Sequence, residues 1–369
     1  MKITSINLYA IKLPFIEPFI ISYETYHDMP SIIVEIKTDT GIIGYGEGVP
    51  DEHVTGETFE SAFAMLKNTI APSLIGEDPF NLEGLHEKMD ALVYGAPTAK
   101  AAIDIACYDV IGKATGQPVF NLLGGRYSEE LEVARVLSIE DPETMAAKTS
   151  RAIDAGFQTI KVKVGTDIEL DIQRIRAVCK AAEGKAQVKV DANQGWKTSA
   201  DSLYVLKQVE DCPIRWIEQP VMADNIDALA EVKRKTHLPV MIDEGLHGMK
   251  ELRETIAKNA ADKVNIKLMK CGGLYPALKL VAQAEMAGMS CQIGSMVESS
   301  VASSAGLHLA TAKRAIESQE LTGPLMFSKD IGSLPYQQNT IRLTNAPGLG
   351  VEVDLHTLQE LTVEKAEIG

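Results

Sequence analysis

The strongest constraint on how this chain can fold is a set of charged residues that close short apolar segments: Lys161 and Lys163, then Asp191, Glu218, Asp243 and Lys267. From Lys163 onward, each lies roughly 24 to 28 residues beyond the one before it, about one strand plus one helix. Between them the helical pattern is explicit, as in Ile168, Ile172, Ile175 and Cys179 ahead of the apolar run Val188-Lys189-Val190. Repetition of this unit predicts a parallel barrel, and barrel enzymes carry their active sites at the C-terminal ends of the strands. Strands are expected at 132–138, 158–164, 187–191, 214–218, 239–243, 263–267, 289–294 and 317–321.

The first 128 residues have a different texture. Alternation in 31–37 and 42–47 around the turn residues Asp39-Thr40-Gly41 predicts a three-stranded meander. Helical patterns follow near 57–73 and 97–114, and Gly124-Gly125-Arg126 ends the region. The expected organisation is α/β, with an α+β domain over 1–128 and a barrel over 129–325. The segment 326–369, strand-like at 341–343 and 351–353, should return to the first domain. No Pro/Ser-rich linker separates the parts, so they should dock rigidly.

A net charge of −15 and a pI near 5.0 argue against nucleic acid or an anionic membrane as the main partner. The first residues alternate like a strand and lack the apolar core of a signal peptide, and no apolar run approaches a membrane span. Five scattered cysteines without metal-ligand spacing read as reduced packing residues. A cytoplasmic homo-oligomer acting on a small molecule is expected.

Lys161 and Lys163 are two apart, so on a strand they share a face, and in a barrel that face points inward. Two neighbouring ammonium groups should lower at least one pKa towards the range of a base. Solvated lysines on an edge strand are the bland alternative. Asp191, Glu218 and Asp243 end consecutive strands, so their carboxylates can converge, and oxygen-only ligation suits Mg²⁺. Capping of the following loops is the competing reading for any one of them. Asn193, Gln194 and Glu244 are candidate supports for that cluster. Lys267 ends the sixth strand, across the barrel from Lys163 on the second. A carboxylate substrate held between them could lose its α-proton to one amine and regain a proton from the other.

These residues, together with the stretch Ala101 to Asp109, Gly112-Lys113 and Leu123-Gly124-Gly125, resemble the enolase superfamily, muconate lactonizing enzyme subgroup. The resemblance covers nearly the whole chain. It implies a modified TIM barrel, (β/α)7β, with a capping domain, Mg²⁺ on Asp191, Glu218 and Asp243, and Lys163 and Lys267 as the acid/base pair, a pairing that is a known pattern of the superfamily. Dipeptide epimerases of this subgroup commonly carry Asp-x-Asp at the eighth strand end, where this chain has Glu320-Leu321-Thr322. Together with Lys267 to Gly273 and Gly294 to Ser300, that segment is more similar to a branch that racemises N-succinyl derivatives of basic amino acids. The implied substrate contacts are Lys161, Tyr26, Asn193, Ser295, Met296, Glu298, Glu320, Leu321 and Thr322. Glu320 is expected either to meet a cationic substrate group or to form a local salt bridge, and Glu298 either to hydrogen-bond near Lys267 or to cap a helix.

The resemblance also places specificity in two capping loops, 15–27 and 49–57, which contain Tyr23, Tyr26, Asp51, Glu52 and His53. Competing functions are a dipeptide epimerase of the L-Ala-D/L-Glu type, an o-succinylbenzoate synthase, and a binding protein on a retired enzyme scaffold.

Overall fold

A computed structural model describes residues 1–21 and 24–369. Strands β1 (Ile3–Ile20), β2 (Thr25–Thr38) and β3 (Ile43–Gly48) form the expected antiparallel meander. One face packs on the helix Pro97–Thr115, whose residues 98–112 are buried. Close approach explains the Gly44-x-Gly46-x-Gly48 pattern. A Cβ at these alternate positions would lie 2.5, 2.0 and 2.8 Å from the carbonyl oxygens of Ala106, Ala102 and Thr98. Backbone oxygens of a helix cannot step aside as a flexible side chain can. Gly46→Ala should therefore destabilise the protein by about 3 kcal/mol, the upper part of the usual overpacking range. Urea unfolding checks this, and a shift within about 0.5 kcal/mol, the scatter of surface substitutions, would refute it.

The next strands are β4 (Leu131–Glu132), β5 (Arg135–Leu137), β6 (Thr159–Lys163), β7 (Gln187–Asp191), β8 (Ile214–Glu218), β9 (Val240–Ile242), β10 (Lys263–Ile266), β11 (Ser290–Ile293) and β12 (Ile316–Gln319). β5 to β12 form one parallel sheet in chain order, a barrel wall with seven intervening crossovers. Its pleat separates the two faces by period two. Ile160, Val162 and Val164 are fully buried among the helices, which turns Lys161 and Lys163 to the barrel interior.

The expected first strand, 132–138, is in fact split into β4 and β5, and the eighth ends at Gln319 rather than 321. β4 instead pairs with β14 (Thr340–Ile341), which pairs with β13 (Tyr336–Gln337). Residues 351–353 are not a strand. The C-terminal strand is β15 (Thr362–Ile368), which pairs antiparallel with β1 as a fourth strand of the first sheet. Its alternation is weak because it is an edge strand, with no residue fully buried. A helix at Leu82–Leu92 was also not anticipated.

The two parts are tied by polar contacts as well as apolar packing. Asp104, in the long helix, accepts hydrogen bonds from the backbone N–H groups of Leu274 (2.5 Å) and Tyr275 (3.2 Å), at the start of helix Leu274–Met286. His86 Nε2 lies 2.8 Å from the same carboxylate. A carboxylate at a helix N-terminus satisfies orphan donors and faces the positive end of the dipole. No described helix is long and apolar enough to cross a membrane, and the five cysteines are all free thiols.

Candidate active site

Strand register builds the site. Lys163, Asp191 and Glu218 stand side by side in the β6, β7 and β8 ladders, and Glu218 pairs with Met241, which places Asp243 two residues further on the same face. Oxygens of Asp191, Glu218 and Asp243 lie within 4.8 Å of one another, and all three residues are at most 1 % exposed. Three buried carboxylates would repel one another strongly without compensation.

Lysines supply that compensation. Lys161 Nζ lies 2.8 Å from Asp191 Oδ2, 3.0 Å from Glu218 and 2.5 Å from Glu320 Oε2. Lys163 Nζ donates to Asp191 Oδ2 at 2.7 Å and Asn193 Oδ1 at 2.9 Å. Lys267 Nζ is 2.9 Å from Asp243 Oδ2, and Lys270 donates to Asp243 Oδ1 at 2.5 Å. In the order of the barrel wall, Lys163 sits on the second strand and Lys267 just past the sixth. The two amines thus flank the carboxylates from opposite sides.

At Lys161 the shift runs opposite to a lowering by the neighbouring ammonium. Burial works against the charge of Lys161, but Asp191, Glu218 and Glu320 outweigh it, and the pKa is raised well above the usual lysine value. Burial opposes and Asp243 with Glu244 wins at Lys267, which is also raised. At Lys161 and Lys267 other ammonium groups are a minor influence because these two amines meet carboxylates at hydrogen-bond distance. Burial would raise Asp191, yet Lys161 and Lys163 hold it at about 2. Burial and the charge of Asp191 push Glu218 well up. A carboxylate kept from ionising by burial and by its neighbours is one that a divalent cation would relieve, so this all-oxygen donor set fits a hard metal ion.

Below this layer the barrel interior is polar as well. Counting back two residues along each strand gives Lys189, Trp216, Met241, Asn265 and Gln292, all buried. Asn265 Nδ2 donates to Glu218 Oε1 at 2.7 Å, and Gln292 Nε2 lies 3.5 Å from Glu218 Oε2. Lys189 sits 4.4 Å from the Trp216 ring centre, and burial lowers its pKa to about 8. Asn265 and Lys270 were not anticipated as part of the site. The same period-two rule that finds Lys161 from Lys163 would have found Asn265 from Lys267.

The remaining expected residues distribute unevenly. Asn193 joins Lys163 to Glu244 through its side-chain amide, with Nδ2 at 2.8 Å from Glu244 Oε1. Gln194 does not support the cluster; its Oε1 accepts from Ala223 N, and it is Gln219 that reaches Asp243 N. Of the two readings of Glu298, the structure supports hydrogen bonding near Lys267 rather than a helix cap: it accepts from Ser295 Oγ (2.5 Å) and Met296 N (2.8 Å), closing its own loop within reach of the Lys267 charge. Leu321 is turned from the site, 1 % exposed and packed over Gly306. Alternation explains this, since Glu320 points inward and Leu321 must point out. Thr322 lines a cavity of about 420 Å³ that also borders Phe19, Ser138 and Met326. Tyr26 Oη donates to Asp51 Oδ2 at 2.9 Å, linking the two capping loops, whereas Glu52 and His53 are exposed at the surface and Tyr23 falls outside the described residues.

Residues 144–357 match the "Enolase C-terminal domain-like" family, and residues 5–124 match the "Mandelate racemase / muconate lactonizing enzyme, N-terminal domain" family. The chain is 60 % identical over 363 residues to an N-succinyl-L-Arg/Lys racemase of Bacillus cereus, covering 98 % of each. It is 37 % identical to an L-Ala-D/L-Glu epimerase of Clostridium acetobutylicum, over 95 % of this chain and 99 % of that one. The crystal structure of N-succinyl Arg/Lys racemase from Bacillus cereus superimposes with a TM-score of 0.99 at 58 % identity over both whole chains. A dipeptide epimerase from Enterococcus faecalis, solved with Mg and L-Leu-L-Tyr, gives a TM-score of 0.92 at 36 % identity over 95 % of this chain and all of that one.

Proposed function

We propose, because this chain belongs to the mandelate racemase/muconate lactonizing enzyme family of the enolase superfamily, that it is a Mg²⁺-dependent racemase of N-succinyl amino acids with basic side chains. The observation that carries the chemistry is the placement of Lys163 and Lys267 on opposite sides of one buried carboxylate cluster. Asp191, Glu218 and Asp243 would hold the cation. When bound, Mg²⁺ supplies Lewis-acid stabilisation of the negative charge that develops on a substrate carboxylate as its α-proton leaves.

The side chains supply the rest. Lys163 removes the α-proton from one enantiomer while Lys267, protonated, delivers to the opposite face; the roles reverse for the other enantiomer. Lys161, fixed by three carboxylates, stays charged and neutralises the growing negative charge. Asn193 aims Lys163, and Lys270 aims Asp243. Burial of both amines keeps bulk water from competing for the proton.

The choice of N-acyl group rests on the 60 % identity to the Bacillus cereus racemase and on the eighth strand end. There Glu320 is committed to Lys161 and Thr322 carries no charge, which disfavours a free α-ammonium and leaves the cavity beside Thr322 for an acyl arm. A dipeptide substrate is the second reading, favoured by Glu320 Oε1, which has no hydrogen-bond partner among the described residues. Incubation with Mg²⁺ in D₂O, followed by mass spectrometry and polarimetry, separates them. The expected kcat/KM for N-succinyl-Arg or N-succinyl-Lys exceeds that for any dipeptide by roughly 100-fold, about 2.7 kcal/mol. Faster turnover of dipeptides would overturn the N-succinyl assignment and leave the two-lysine chemistry standing.

A further inference from the structure

Glu47, on β3, is fully buried, and its carboxylate accepts four hydrogen bonds. Oε1 accepts from Ser31 Oγ at 2.8 Å and Ser299 N at 2.9 Å; Oε2 accepts from Ser299 Oγ at 2.6 Å and Ala302 N at 2.9 Å. Three of these donors belong to the start of helix Ser300–Ala312, where unpaired N–H groups and the helix dipole favour an anion. A carboxylate from the first sheet therefore grips the barrel immediately after residues 295–298.

That loop is under strain. Val297 has φ +65°, a left-handed conformation that is a genuine outlier for a β-branched residue. Such a conformation persists only where its surroundings over-determine it. Upstream, Ser295 Oγ accepts from Val297 N at 2.7 Å and donates to Glu298, whose other oxygen accepts from Met296 N. From the side, the segment after β12 presses on it: a Cβ at Gly323 would lie 2.2 Å from Glu298 O. Downstream, Glu47 holds Ser299 through its N–H and Oγ, and Asp330 holds the next residue, accepting from Ser300 N at 3.0 Å and Ser300 Oγ at 2.5 Å.

We propose that Glu47 is a positioning residue that holds the strained 295–298 loop in the shape presented to substrate, so that docking of the capping domain sets the readiness of the barrel site. This rests on the reading of Ser295 and Met296 as substrate contacts. Glutamine cannot replace it fully, because in either orientation its N–H₂ group faces a backbone N–H, of Ser299 or of Ala302, that can only donate.

The test compares full-length wild type, Glu47→Gln, the milder Ser299→Ala and the control Asp104→Asn, which loosens a different helix start. Hydrogen–deuterium exchange of amides 295–299 in Glu47→Gln should quicken roughly tenfold. KM for the racemised substrate should rise roughly tenfold with kcat changed less than about threefold. Ser299→Ala should move both in the same direction by about threefold, and it carries the test if Glu47→Gln does not fold. Asp104→Asn should leave both unchanged. Wild-type exchange in the loop, or faster exchange with an unaltered KM, would overturn the proposal. If wild type racemises none of the N-succinyl or dipeptide substrates, the proposed function fails, and the exchange data still decide whether Glu47 anchors the loop.

Discussion

Alanine at Lys267 is expected to abolish interconversion of enantiomers, with kcat reduced by roughly 10²- to 10⁴-fold, the range for loss of a general acid or base. The enantiomer whose α-proton faces Lys163 should still exchange that proton with solvent deuterium, because the remaining amine can remove and return it on one face. Lys163→Ala should show the mirror-image selectivity. The expectation follows from the placement of the two amines: Lys163 is held by Asp191 and Asn193, Lys267 by Asp243, and the carboxylate cluster lies between them. Neither amine can reach the other's side without leaving its partners. Exchange of both enantiomers by either single variant, followed by mass spectrometry, would refute the two-base assignment.

Glu218→Gln should remove most Mg²⁺-dependent behaviour. Wild type at 100 times its dissociation constant should gain about 2.7 kcal/mol of stability from the ion, read as a rise in melting temperature on adding MgCl₂. The variant should show little of that rise, and racemisation should fall by roughly 10³-fold, about 4 kcal/mol of activation free energy. Chelation of wild type should abolish activity and leave a folded protein, since Lys161, Lys267 and Lys270 already neutralise the cluster in the absence of a cation. An Mg²⁺-induced shift in Glu218→Gln equal to that of wild type would exclude Glu218 as a ligand.

How much of this could be read from the chain depends on the range of the interactions involved. Lys161, Lys163, Asp191, Glu218, Asp243 and Lys267 were legible because each is defined by its own strand: a period of two decides which face it uses, and the strand end decides its depth. The same local logic misplaced Leu321, where alternation should have been applied one residue further, and passed over Asn265. Strand β15 was hidden because an edge strand with little buried area has no strong alternation to read. Glu298 stayed ambiguous because its partners, Ser295 and Met296, meet it only when the loop closes on itself.

The charge state of the lysines was beyond any local rule. From the sequence, Lys161 and Lys163 are two cations in proximity; in the folded protein Lys161 also meets carboxylates from β7, β8 and the residue after β12. A Coulomb interaction at 3 Å in a buried site outweighs one at the spacing of two side chains on a strand, so the sign of the shift was decided by residues up to 159 positions away. The sequence alone determined which side chains face the barrel interior and at which strand ends, because pleat and period are properties of a few consecutive residues. Tertiary structure alone decided which of them touch, which stay charged, and that Glu47 of the first sheet grips the loop beside the site, because those outcomes depend on distances between segments that only the closed barrel and its docked cap bring together.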